Sequence, residues 1–168
     1  MSELPSPLHP PILESRLLRW PEESACARFA AALARQPGLR EAFIALHGAL
    51  GAGKTTFVRH LLRALGVAGR IKSPTYTVLE PYALPGLAIS HFDFYRFADP
   101  RECEDAGFRE VFAAPGLKLA EWPDKAAGML PTADLRLHIE ALDESAREVR
   151  LEALTPLGLA MLHTLPGA

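Results

Sequence analysis

Three features of the sequence predict an α/β fold with a mixed central sheet and a C-terminal antiparallel hairpin. First, a short apolar run, Ala42–Leu46, passes at once into a glycine-rich turn and then into a stretch of helical periodicity. Second, later apolar runs, Leu87–Phe92 and Leu117–Ala120, each end at a carboxylate, Asp93 and Glu121. Third, beyond Pro131, Leu135, Leu137 and Ile139 alternate with polar residues. Val149 and Leu151 do the same after the turn residues Asp143-Glu144-Ser145, as in a hairpin with one wet face.

Element by element, residues 1–11 carry Pro5, Pro7, Pro10 and Pro11 and are expected to form a flexible arm. Ile12–Arg19 alternates weakly, as a strand does. Pro21, Glu22 and Glu23 mark a helix start, and Ala25–Arg35 continues it until Pro37-Gly38. Ala42–Leu46, bounded by glycine, reads as a buried strand. Lys54–Leu65 places Phe57, Leu61, Leu62 and Leu65 on one helical face, and Gly66 closes it. Thr75–Leu79 is rich in strand formers, and Leu87–Phe94 and Leu117–Ala120 are further strand candidates. Ala106–Phe112 has the pattern of a short helix. Residues 12–153 are therefore expected to form one domain, with 154–168 an apolar tail of no assigned structure.

Composition narrows the function classes. The chain has 168 residues, 49% of them hydrophobic and 23% charged, as expected of a folded single domain. Its 18 basic and 20 acidic side chains leave a net charge of −2. A protein that coats nucleic acid through bulk positive charge is not expected. Two cysteines without metal-ligand spacing argue against a disulfide framework or a structural zinc site, which fits a reducing cytoplasm. No apolar run reaches the ~18 residues of a membrane span. The opening residues lack the basic and apolar regions of a secretory signal.

The chemistry is carried first by Gly48-Ala49-Leu50-Gly51-Ala52-Gly53-Lys54-Thr55, which fits G-x-x-x-x-G-K-[ST] at every fixed position. An apolar strand stands immediately before it and an amphipathic helix immediately after. Glycines at 48, 51 and 53 let successive backbone N–H groups turn toward phosphate oxygens, and the helix start adds its positive end. Lys54 is expected to bridge the terminal phosphates of a nucleotide and the Thr55 hydroxyl to ligate Mg²⁺. The motif converts the α/β prediction into a three-layer sandwich of the P-loop NTPase kind. A dinucleotide fingerprint starting at Gly51 fails, because Thr56 stands where it needs glycine.

Such a site needs a further metal-holding carboxylate. Asp93 and Glu121 both fall where strand C-termini converge on the loop. One is expected to hold Mg²⁺ through water and the other to orient the attacking water, with the division between them open. His91 reads as a packed strand histidine. Trp122 is a core or rim aromatic that can close over the site. Ser73-Pro74-Thr75 is either a hydroxyl-bearing switch segment or a plain turn.

GALGAGKTT (48–56), KSPTYTVLEPY (72–82), HFDFYR (91–96) and AEWPDK (120–125) occur in this order. Together they resemble the bacterial TsaE family, the P-loop ATPases of tRNA threonylcarbamoyladenosine biosynthesis, over about residues 12–152. The resemblance implies ATP and Mg²⁺ as ligands, with Gly48, Gly51, Ala52, Gly53, Lys54, Thr55 and Thr56 at the phosphates. It implies Thr75 as the switch threonine, Asp93 as the aspartate of an HxDxYR motif, and Glu121, paired with Trp122 in an EW motif, as the carboxylate associated with metal binding and hydrolysis. It also implies Ser24 near the adenine and Arg147, on the hairpin, near the nucleotide. The activity implied is ATP hydrolysis, weak alone and stimulated by TsaD and TsaB, the proteins that modify adenosine 37 of ANN-decoding tRNAs. Transfer RNA is then met mainly through that complex. The chain departs from the family pattern at Ala49, where aspartate is usual; backbone cradling does not use that side chain.

The residues alone also admit a small-molecule kinase, with Arg96, Arg101 and Arg109 on a lid. Glu102, Glu104, Asp105 and Glu110 in the same stretch give it the wrong charge for that task. A pure interaction module with a relic loop is a further reading. A Ras-type guanine-reading loop is absent, since the chain contains no asparagine.

Overall fold

The computed structural model describes residues 10–166. Most of the predicted arm, residues 1–9, and the last two residues of the tail lie outside the described residues. The strands are β1 (Glu14–Trp20), β2 (Phe43–His47), β3 (Leu79–Leu84), β4 (Leu87–Asp93), β5 (Leu117–Glu121), β6 (Leu135–Ala141) and β7 (Arg147–Ala153). The helices are α1 (Glu23–Ala34), α2 (Lys54–Leu65), α3 (Arg101–Asp105), α4 (Phe108–Ala113) and α5 (Pro156–Thr164).

All seven strands form one sheet in the order β1-β7-β6-β2-β5-β4-β3. The central four, β6-β2-β5-β4, are parallel, and the pairs β1–β7, β6–β7 and β3–β4 are antiparallel. The mixed sheet and the late hairpin are as the sequence predicts. Strand β2 reads as an unbroken apolar run because both its faces are covered. Ile44 and Leu46 face α1, α2 and α5, whereas Phe43 and Ala45 face the cluster around α3 and α4. Helices on both faces make three layers. The first core gathers Leu33 of α1, Phe57 and Leu61 of α2 and Leu162 of α5 against the sheet. The second is aromatic: Phe92 stacks on Phe94 and Phe112, with Phe108 edge-on.

Three local expectations change. Thr75–Thr77 is a turn, and β3 begins only at Leu79. The Val78 N–H bonds the Pro74 carbonyl at 2.6 Å and Val78 sits at φ +68°, which a strand does not tolerate. The helix expected at 106–112 is α4, which begins only after Gly107 at φ +75°, and a further short helix, α3, stands before it. Within the unassigned tail, 156–164 is helical. Thr155 caps it by accepting from the Gly158 N–H, and Pro156 occupies its first turn. Among the described residues no helix is long and apolar enough to cross a membrane.

Candidate nucleotide site

The C-terminal ends of β2, β4 and β5 lie side by side, and all the chemistry of the site is placed there. This is the crevice where open α/β sheets take ligands. After β2 the chain turns through Gly48–Gly53 into α2. Gly48 has φ +151°, and a Cβ at that position would lie 2.5 Å from the Ile139 carbonyl oxygen, so the loop can pass this close to β6 only as glycine. Gly53, at φ +112°, is the last residue before α2 and leaves the helix's first N–H groups directed at the cavity.

Lys54, the first residue of α2, is 5% exposed. Its ammonium donates to the carbonyls of Gly48 at 2.5 Å and Ala49 at 2.9 Å, and lies 4.4 Å from the centre of the Trp122 ring. Burial lowers its pKa, opposed by the charges of Glu121 and Asp93. The next residue, Thr55, donates its hydroxyl to Glu121 Oε1 at 2.8 Å. Glu121 ends β5 and is 2% exposed. Asp93 ends β4 and is paired with Glu121 in the strand register. Its carboxylate accepts from the Tyr95 N–H at 2.9 Å and the Thr75 hydroxyl at 3.2 Å. Burial raises the Asp93 pKa, and the Glu121 charge adds to the effect.

These groups line a cavity of about 280 Å³. A neighbouring cavity of about 240 Å³ shares Gly53, Thr56 and Arg147 with it and runs to Trp20, Glu22, Glu23 and Cys26. Arg147 joins the two. From the start of β7 it donates Nε–H to the Ala52 carbonyl at 2.7 Å, tying the hairpin to the loop. The first cavity gathers the lysine, threonine and arginine donors beside two carboxylates, and the second is lined by Trp20 and Cys26 together with Glu22, Glu23 and Glu144.

The structure brings Gly51, Gly53, Lys54, Thr55, Thr56, Thr75, Asp93, Glu121 and Arg147 to the first cavity, and Ala52 lines the second. Gly48 contributes its carbonyl to Lys54. Ser24 is the exception: it sits in the first turn of α1, outside both linings, and donates its hydroxyl to Glu22. Arg96, Arg101 and Arg109 do not reach the cavity. Arg101 pairs with Asp99, Arg109 with Glu104, and Arg96 lies over Tyr76. The stretch imagined as a lid folds as α3 and α4 against the opposite face of the sheet.

Sequence reasoning missed Trp20, Tyr95 and the carboxylates of Glu22 and Glu23 as cavity walls, and it gave His91 no part in the site. The pattern His91-Phe92-Asp93 held the signal for His91: on a strand it puts His91 and Asp93 on one face and Phe92 on the other. For a divalent ion the donors fit. A hydroxyl and two carboxylates are hard oxygen ligands, and two buried like charges side by side favour a cation. Among the described residues no group of three or more His, Cys, Asp or Glu side chains is arranged to hold a metal by itself. Phosphate oxygens would complete the shell of a magnesium ion held here.

Comparison with known proteins settles the family. The model described as "Threonylcarbamoyl adenosine biosynthesis protein TsaE" matches residues 20–149. The chain belongs to the TsaE family. It is 44% identical over 131 residues to the tRNA threonylcarbamoyladenosine biosynthesis protein TsaE of Haemophilus influenzae, covering 78% of this chain and 82% of that one. To the protein of the same name from Bacillus subtilis it is 37% identical over 142 residues, 82% of this chain and 86% of that one. Among solved structures it superposes on Bacillus subtilis YdiB with a TM-score of 0.74 at 25% identity, covering 90% and 94% of the two chains. The TsaE match spans the loop, Asp93, Glu121 and Arg147 alike.

Proposed function

We propose that this chain is a Mg²⁺-dependent ATPase of the cytoplasm, acting with TsaB and TsaD in the formation of N6-threonylcarbamoyladenosine at position 37 of ANN-decoding tRNAs. The tRNA pathway is the one its relatives are named for. One observation supports the ATPase reading above the rest. Lys54 and Thr55 at the start of α2 meet Glu121, with Asp93 beside it, in one cavity opening from a glycine-rich turn.

In this reading the backbone N–H groups of 51–55 bind the β- and γ-phosphates. Lys54 leaves the Gly48 and Ala49 carbonyls for the phosphate oxygens. Thr55, Asp93 and Glu121 would hold magnesium, which when bound would neutralise charge on the phosphates. Glu121, or Asp93 beside it, orients the attacking water. Arg147 keeps the loop seated, and Trp20 walls the space for the base. Among the described residues Arg96, Arg101 and Arg109 lie outside the cavity, which leaves it open to water and to a protein that completes it. A low rate alone and a higher one with partners follow from that openness.

The experiment is phosphate release from ATP by the protein alone, then with TsaB, TsaD and tRNA. Release without any added acceptor, increased by the partners, supports the proposal. No release without an acceptor would favour a kinase, and indifference to the partners would detach the chain from this pathway.

A further inference from the structure

His91 is fully buried on β4, with 0% exposure, and shares the α2-facing side of the sheet with Asp93. Its Nε2 lies 2.7 Å from Glu121 Oε2. Its other ring nitrogen, Nδ1, is buried and has no hydrogen-bond partner among the described residues. The Glu121 carboxylate is therefore divided between two donors: the Thr55 hydroxyl takes Oε1, and the imidazole takes Oε2.

A carboxylate oxygen accepts, so the 2.7 Å contact is a hydrogen bond with Nε2 carrying the hydrogen. Nδ1 then holds a lone pair, and the ring buries an unused acceptor. The opposite tautomer sets lone pair against lone pair at Glu121 and strands an N–H with nothing to receive it. The ring is fully buried on β4, which lies between β3 and β5. A glutamate has flexible torsions, and its two oxygens are equivalent until a neighbour distinguishes them.

We propose that His91 is the positioning residue for Glu121: its Nε2–H holds Oε2, so that Oε1 alone is presented to Thr55 and the phosphate cavity. His91 itself lines neither cavity. The proposal rests on the ATPase reading of the site and adds the group that aims its carboxylate. Partners that orient a metal-site ligand from behind are worth roughly 10–100-fold in affinity or activity.

The test compares His91→Gln, whose amide can bring an N–H near the place of Nε2, with His91→Phe, which fills the ring's space without a donor. Three readouts are taken: kcat and KM for Mg·ATP, affinity for magnesium-free ADP by calorimetry, and the imidazole ¹⁵N spectrum of the nucleotide-free wild type. The expected result is a fall of about 10–100-fold in kcat for His91→Phe. Its KM and ADP affinity should stay within about threefold, and His91→Gln should regain most of the rate. The spectrum should show the Nε2–H tautomer, with a hydrogen-bonded proton signal lost in Glu121→Ala. Equal losses in both variants, an unchanged kcat in His91→Phe, or an Nδ1–H tautomer would overturn the proposal. If His91→Phe does not fold, the Gln variant and the spectrum decide. Should the wild type hydrolyse no ATP, the ATPase reading fails by itself, while the nucleotide-free spectrum still decides whether His91 donates to Glu121.

Discussion

Asp93 and Glu121 stand opposite one another in the parallel register of β4 and β5, the last residue of each strand, both almost fully buried. Their burial together disfavours a second negative charge and raises the Asp93 pKa. A divalent cation held between them, as proposed, would relieve that cost. Asp93→Asn should stabilise the ligand-free fold by about 1 kcal/mol, the trade expected at a functional site. It should also weaken the magnesium dependence of nucleotide binding. Glu121→Ala should leave nucleotide affinity nearly intact and cut hydrolysis by ~10²-fold or more. Denaturant melts and phosphate-release assays check the two variants. An unchanged hydrolysis rate in Glu121→Ala moves the water-orienting task to Asp93.

Lys54 is held by two loop carbonyls and the Trp122 ring. In the proposed reading it leaves those carbonyls for phosphate. Lys54→Ala should abolish tight ATP binding and turnover, measured by calorimetry and phosphate release. Undiminished turnover with the partner proteins present would show that the site has been placed wrongly.

Arg147 reaches from β7 to the carbonyl of Ala52, 95 residues away in sequence, and lines both cavities. Its charge-assisted bond holds the loop in its curled form. Arg147→Ala should weaken ATP affinity by about tenfold, the equivalent of one such bond, with little change in the turnover of bound nucleotide. Calorimetry paired with single-turnover kinetics separates the two effects.

Acid should destabilise the protein through His47, which stands just before Gly48. Burial lowers its pKa to about 4, against the attraction of Asp124 at 3.5 Å. His138, stacked on it with ring centres 4.7 Å apart, is also lowered by burial. A histidine depressed in this way is neutral when folded, whereas the unfolded chain takes up its proton near pH 6.5. Stability should be full above that pH, decline between about pH 6.5 and 4, and lose no more to this group below it. The loss from His47 is at most about 3 kcal/mol. Urea midpoints at pH 7, 5.5 and 4 should show the decline, and His47→Gln should flatten it.

The part of the fold nearest the loop was legible because its signals are local. A buried strand, a glycine turn and a helix with Phe57, Leu61 and Leu62 on one face each declare themselves within a dozen residues. Asp93 and Glu121 were legible because each ends an apolar run. The turn at Thr75–Thr77 was not, because β-forming residues there are overridden by the Pro74–Val78 bond and by Thr75 turning toward Asp93. Helix α5 was hidden by being apolar on all sides, although Thr155 and Pro156 marked its start. The contact of His91 with Glu121 joins residues 30 apart in sequence. Nothing local in either segment announces it.

We read the turn from Gly48 to Gly53 as a cup for the phosphates of ATP, with Asp93 and Glu121 beside the metal. A crystal structure with a non-hydrolysable ATP analogue and Mg²⁺ tests it most directly. The β- and γ-phosphates should lie against the N–H groups of 51–55 with Lys54 swung onto them, and the metal should contact Thr55 with both carboxylates around it. An analogue bound elsewhere, or a metal remote from Asp93 and Glu121, would contradict the account.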